Sequence, residues 1–242
     1  MPDEALSIGL LRGLDEDIAR DLLRQAKRRH FAENSVLFQA GQPARTVHVL
    51  VSGVAQLVQS TPRGSRVVVK YVGPGEIFGS PALFDRFYPV DAVTVTECEE
   101  LQWPAPMLRA IVDRHPQVAL NMIRDLEMRL REMEDRIRDL SGEPVEHRLV
   151  HAVLKLVDRF GRPVPEGVEI PFPISRQDLA DLIGSTLPTV SRTLRNWEMQ
   201  RQIKRYRLRL VIADVEAVTR ILYKDSPPQL RVRRSHRRRV QR

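Results

Sequence analysis

Between residues 175 and 200 the chain reads SRQDLADLIGSTLPTVSRTLRNWEMQ, and here polar side chains fall at spacings able to do directed chemistry. Ser175 is a natural N-cap with Asp178 three residues on, which starts a helix carrying Leu179, Ala180 and Ile183 inward. Gly184 ends that helix. Small Ala180, turn Gly184 and apolar Val190 then let a second helix cross closely, anchored by Val190, Leu194 and Trp197. The open side of this second helix carries Thr189, Ser191, Arg192 and Arg195, with Thr186, Leu187 and Pro188 at its start. A guanidinium in the place of Arg192 can fork onto O6 and N7 of a guanine, which is worth about 1 to 3 kcal/mol of discrimination. Arg176, Gln177 and Arg195 suit phosphate oxygens, and Ser175 is counted with them as a DNA contact. An ordinary helical hairpin is the plain alternative, and Thr193 stands where a larger aliphatic is usual. The alternating pair that follows, residues 203–206 and 208–212, supplies a wing, and the combination points to double-stranded DNA.

Other chemistries find little support. The chain has no phosphate loop, no nucleophile elbow and no metal-ligand spacing, so neither an enzyme nor a metal site is expected. One cysteine, Cys98, cannot close an internal disulfide or hold a zinc or iron-sulfur site by itself. The six histidines, His30, His48, His115, His147, His151 and His236, are scattered; His147 and His151 stand four apart and read as an exposed polar face. No cofactor is expected.

Residues 116–142 follow Pro116, which suits a first helical position. Ile123, Leu126, Leu130, Met133, Ile137 and Leu140 are spaced 3, 4, 3, 4, 3, the a and d positions of a coiled-coil seam, so this helix is read as the dimerisation element of a homodimer. With Ile123 at a, Arg129 at g faces Glu134 at e of a parallel partner. A helix docked on its own domain is the alternative. Ahead of it, short β-branched and aromatic runs at residues 36–38, 47–51, 54–58, 67–71 and 92–95, separated by Gly and Pro turns, predict an antiparallel β-domain preceded by an amphipathic helix over 18–30. Beyond it the expectation is a helix over 145–160, a strand over 168–172 and a short helix over 214–223. The fold class is α+β: residues 1–115 a β-roll with its N-terminal helix, 116–142 the long helix, 143–225 a winged helix-turn-helix, 226–242 a disordered Arg-rich tail.

Charge adds less than its total suggests. Of the net +8, residues 1–142 carry −2, 143–230 carry +3 and 231–242 carry +7. The Arg-rich end suits sequence-independent attraction to phosphates, with a merely solvated end as the alternative. The apolar runs are far too short for a membrane span and the N-terminus opens with acids, so a cytoplasmic protein with no membrane partner is expected.

The order of β-roll, long helix and winged helix-turn-helix resembles the Crp-Fnr family, over roughly residues 15–225. The resemblance is carried by Gly41, Gly53, the run Pro74-Gly75-Glu76-Ile77-Phe78-Gly79 followed by Ala82-Leu83-Phe84, and Thr189-Val190-Ser191-Arg192. It implies a cyclic-nucleotide-binding-like jelly roll and a homodimer that binds a palindrome and contacts RNA polymerase as an activator. It also marks the effector-pocket positions Gly79, Ser80, Val90 and Asp91. At the last three the family's nucleotide binders place a Glu for the ribose and an Arg-Ser pair for the cyclic phosphate. Here the phosphate cation is missing and a carboxylate stands beside its place, which argues against cyclic AMP. The adenine-contacting positions fall near Met133 and Glu134, and the cysteine set of iron-sulfur members is absent. An effector-free regulator leads. The alternatives are gating by a non-nucleotide ligand or haem, or a sensing module whose C-terminal domain docks protein. The family's usual Arg-Glu before Thr-Val is Leu187-Pro188 here, so only the contact of Arg192 with guanine is carried over.

Overall fold

The computed structural model describes residues 8–60, 66–84, 86–206 and 208–223 and divides into two compact units, Met1–Arg138 and Asp139–Arg242. The expected tail, 226–242, lies outside the described residues.

In the first unit the β-branched runs form two four-stranded antiparallel sheets. One has the order β1 (Lys27–Phe31), β8 (Cys98–Pro104), β3 (Thr46–Ser52), β6 (Ile77–Phe78); the other is β2 (Val36–Phe38), β7 (Asp91–Thr94), β4 (Ala55–Ser60), β5 (Arg66–Val72). Val47, Leu50, Ala55, Phe78, Ala92, Leu101 and Trp103 from both sheets share one buried core. The leading helix α1 (Glu16–Gln25) joins that core through Ala19 and Leu22, and Trp103 Nε1 donates to the Leu22 carbonyl at 3.1 Å. This helix is shorter than the 18–30 pattern predicts. Lys27 to Phe31 pairs instead with β8, from Lys27 opposite Gln102 to Phe31 opposite Cys98, and Arg28 forms an ion pair with Glu99. Cross-strand pairing overrides a local helical period there.

The interior of the roll holds a polar cluster that the sequence does not announce. His48 Nδ1 lies 3.2 Å from Glu100 Oε2 and its Nε2 3.4 Å from the Tyr88 hydroxyl, while Tyr88 donates to the Thr46 carbonyl at 2.8 Å. Phe38 stacks on Tyr88 with ring centres 3.9 Å apart. Burial pushes the Tyr88 hydroxyl up from its ordinary value, which keeps it a donor. Gly79 adjoins this cluster with φ +76°, and a Cβ there would come within 2.8 Å of the His48 ring and 3.0 Å of the Thr46 carbonyl. Glycine is required at that turn on both counts.

Helix α2 (Ala105–Arg114) leads into α3 (Pro116–Gly142). Val118 and Asn121 of α3 are buried, and Asn121 Nδ2 donates to the carbonyls of Leu10 and Arg12 at 2.9 and 2.8 Å. The heptad residues behave differently: Ile123, Leu126, Leu130, Met133, Ile137 and Leu140 are 47–62% exposed. Arg129 is not held out toward a partner's Glu134. Its guanidinium pairs with Asp125 at 2.7 Å and donates to the Ile77 carbonyl of β6, because the g position of this heptad lies over the edge of the roll. Farther along, Arg136 donates to the Val68 and Val69 carbonyls at 3.2 and 3.3 Å.

The second unit consists of α4 (Val145–Phe160), β9 (Arg162–Val164), β10 (Gly167–Ile170), α5 (Arg176–Ile183), α6 (Leu187–Met199), β11 (Ile203–Tyr206), β12 (Arg209–Ile212) and α7 (Val215–Ile221). Its sheet has the order β11, β12, β10, β9. Strand β10 stops at Ile170, two residues before the predicted end, because Pro171 and Pro173 have no N–H to continue the ladder. Buried Glu169 joins the sheet by accepting from Arg162 at 2.7 Å and from Arg209. Hydrogen bonds from Arg162 and Arg209 hold its carboxyl below the usual range. A depressed carboxyl stabilises the fold above the ordinary glutamate value of about 4.3 and loses that contribution as pH falls through the folded value. Glu169→Gln should therefore cost about 1 kcal/mol at neutral pH, since both arginines are half-exposed and screened. Denaturant melts should show the gap to wild type narrowing as pH drops below about 4; a gap independent of pH would refute the pairing.

Candidate nucleic-acid interface

Helices α5 and α6 are built as the residue types require. Ser175 Oγ accepts from the Asp178 N–H at 3.0 Å while the Asp178 carboxylate accepts from the Ser175 N–H at 2.9 Å, a reciprocal capping box. Gly184 ends α5 with φ +61°, a left-handed conformation that glycine adopts without a Cβ penalty. A Cβ there would also stand 3.0 Å from Leu140. Arg148 of α4 donates to the Ile183 carbonyl at 2.9 Å, closing the same helix end. Leu179, Ala180 and Ile183 of α5 are buried with Val190, Leu194 and Trp197 of α6. Trp197 Nε1 donates to Glu146 at 2.8 Å, so the indole is satisfied at depth and α6 is tied to α4. The Thr193 hydroxyl returns to the Thr189 carbonyl at 3.1 Å, which satisfies it within its own helix in the place of the usual aliphatic.

These buried contacts leave one face of α6 open. Thr186, Leu187, Pro188, Arg192 and Arg195 are exposed, and Thr189 and Ser191 half-buried between them. Arg176 is half-buried and Gln177 exposed at the start of α5, with the Gln177 amide donating to Asp181 at 2.6 Å. The Ser175 hydroxyl is committed to its cap, which leaves it little to offer a phosphate. Sequence reasoning missed Arg205 on the wing, whose side chain is largely buried and stands 3.9 Å from Glu198 of α6. Burial, then the neighbouring Arg176 charge, pull its guanidinium below the usual arginine value. It also missed the histidine pairs: His147 lies 2.7 Å from Glu143 and His151 3.0 Å from Asp139. They bind the joint between α3 and α4 and do not form a free polar face. Their i, i+4 spacing was the signal available. Among the described residues, no group of three or more His, Cys, Asp or Glu side chains is placed to hold a metal ion, and no helix is long and apolar enough to cross a membrane.

Comparison with protein-family models matches a cyclic nucleotide-binding domain to residues 28–115 and a Crp-like helix-turn-helix domain to residues 147–221. The chain belongs to the Crp-Fnr family of transcription regulators. Relatives of this Crp-Fnr regulator include the global nitrogen regulator of Synechocystis, 32% identical over 169 residues, covering 68% of this chain and 74% of that one. The CRP-like cAMP-activated global transcriptional regulator of Mycobacterium tuberculosis is 24% identical over 220 residues, covering 90% and 98%. The fold likewise matches the c-di-GMP responsive global regulator CLP of Xanthomonas campestris, with a TM-score of 0.72 at 22% identity over 82% of this chain and 99% of that one. The β-roll, long helix and helix-turn-helix are the family's architecture, and its members are regulators of transcription, not enzymes.

In this Crp-Fnr regulator Ser80, Val90 and Asp91 carry structural duties. Ser80 opens a short 3-10 turn, Ser80–Phe84. Val90 packs against the core of the roll. Asp91 begins β7 and accepts from the Ala40 N–H at 2.8 Å, holding the neighbouring turn. The Asp91 carboxylate is thus engaged within the roll, beside Val90, and would repel an anion brought there.

Proposed function

We propose that this regulator acts as a homodimer on a two-fold symmetric DNA site, with Arg192 of each copy forked onto a guanine. The observation that carries the reading is the exposed row of Thr186, Leu187, Pro188, Arg192 and Arg195 above a fully buried Val190, Leu194 and Trp197. Rigid anchoring beneath and polar reach above are what base readout needs. Arg176, Gln177, Thr189 and Ser191 complete the contact set, with Arg176, Gln177 and Arg195 toward phosphates and Ser175 capping α5 behind them. The heptad stripe supports pairing through α3, because its six apolar side chains are 47–62% exposed at a and d spacing, an area that a second copy of the helix would cover. Domain roles follow: 1–115 sensor-like roll, 116–142 dimer helix, 143–225 DNA reader. Activation through contact with RNA polymerase is what the family implies.

Cyclic AMP is not the signal on this reading, because Val90 and Asp91 replace the cation and its polar partner. The test is equilibrium binding of the full chain to promoter DNA across salt and cyclic AMP concentrations. Binding should weaken steeply with salt, as counterion release requires, and cyclic AMP should leave affinity unchanged. A tenfold or greater gain in affinity on adding cyclic AMP would overturn the effector-free reading.

A further inference from the structure

The first turn of α6 leaves Leu187 41% exposed while Val190, Leu194 and Trp197 of the same helix are fully buried. Leu187 therefore belongs to the outer face and not to the core. Pro188 beside it is exposed as well and carries neither a side-chain polar group nor a backbone N–H. The flanking hydroxyls face each other, with Thr186 Oγ1 3.0 Å from Thr189 Oγ1. Leu187 stands one helical turn ahead of Ser191, and Pro188 one turn ahead of Arg192. The leading edge of the reading helix is thus apolar over two consecutive residues, on the stripe that carries Arg192.

Major-groove edges present donors and acceptors at every base pair and a single apolar group, the C5-methyl of thymine. A leucine pressed onto the amino group of cytosine or adenine strips water from a donor and returns no hydrogen bond. Pressed onto a methyl group, it removes apolar area from water on both partners. Resting on the DNA reading proposed above, we infer that Leu187, backed by Pro188, selects a thymine through its methyl group, within two base pairs of the guanine met by Arg192. One helical turn advances about 5.4 Å and one base pair about 3.4 Å, which sets that distance. This gives the half-site a second specified base in place of those the family's Arg-Glu pair would read.

The DNA supplies the probe, so the protein need not be altered at first. Duplexes bound by the full chain are selected from random sequence, and the selected site is remade with deoxyuridine for single thymines, which deletes only the methyl group. At one thymine within two base pairs of the guanine, wild-type affinity should fall about fourfold per half-site and about fifteenfold when both are changed, as burial of one methyl group implies. Leu187→Ala, a change at an exposed position, should bind the thymine and deoxyuridine duplexes equally. If no thymine in that window responds, or if Leu187→Ala stays as sensitive as wild type, the thymine contact is wrong while DNA reading stands. If the wild-type chain selects no site at all, both readings fail.

Discussion

Replacing Arg192 by alanine should lower affinity for the selected operator about 30-fold or more, while affinity for random DNA should change about twofold. The asymmetry follows from where Arg192 sits. It is exposed on α6, a little over one turn from the helix start, and a bidentate pair with guanine is worth about 1 to 3 kcal/mol. That is roughly 5- to 150-fold for each half-site, and a symmetric dimer loses it twice. Random DNA offers no matched guanine, so there only one charge among several is lost, and the salt slope falls by about one or less. Because Arg192 is exposed, folding should be unchanged by circular dichroism. Footprinting and anisotropy on operator and random duplexes would decide the matter. Equal losses on both would make Arg192 a phosphate contact.

Leu130→Asp should weaken both pairing and operator binding at least 100-fold while leaving the single chain folded. Leu130 is 57% exposed and central in the stripe from Ile123 to Leu140, so the change removes little from the core of its own chain. In a parallel two-stranded seam the two copies of an a position face each other, and the substitution places two carboxylates in an apolar layer. Desolvating like charges costs several kcal/mol, enough to weaken dimerisation at least 100-fold. Light scattering during size exclusion should show a monomer at micromolar concentration, and affinity for a palindrome should drop by a similar factor because one half-site is lost. A dimer of unchanged affinity would place the interface elsewhere.

The features legible in the sequence were those whose determinants lie close together in the chain. Ser175 with Asp178, Gly184, and the 3-4 spacing from Ile123 to Leu140 each specify their structure within a turn or two, and the capping box, the left-handed glycine and the helix Pro116–Gly142 are found there. What was hidden depends on distant partners. Lys27 to Phe31 has no strand alternation of its own and becomes β1 only by pairing with β8, about 70 residues away. The acids of Cys98–Pro104 obscured β8 in the same way, although Glu100 is buried against His48. The heptad pattern alone points Arg129 at a partner chain, while the Ile77 carbonyl that holds it lies on β6. In the reading unit, the exposed face of α6 could be drawn from the sequence, but Arg205 became visible only once the wing was folded against Glu198.

The full chain, without any nucleotide, is incubated with random duplex DNA, and the bound fraction is amplified and sequenced. An inverted repeat should emerge, with a guanine in each half and half-site centres about 10 base pairs, or ~34 Å, apart. No enriched sequence, or a single unrepeated element, would contradict a paired helix-turn-helix reading DNA through Arg192.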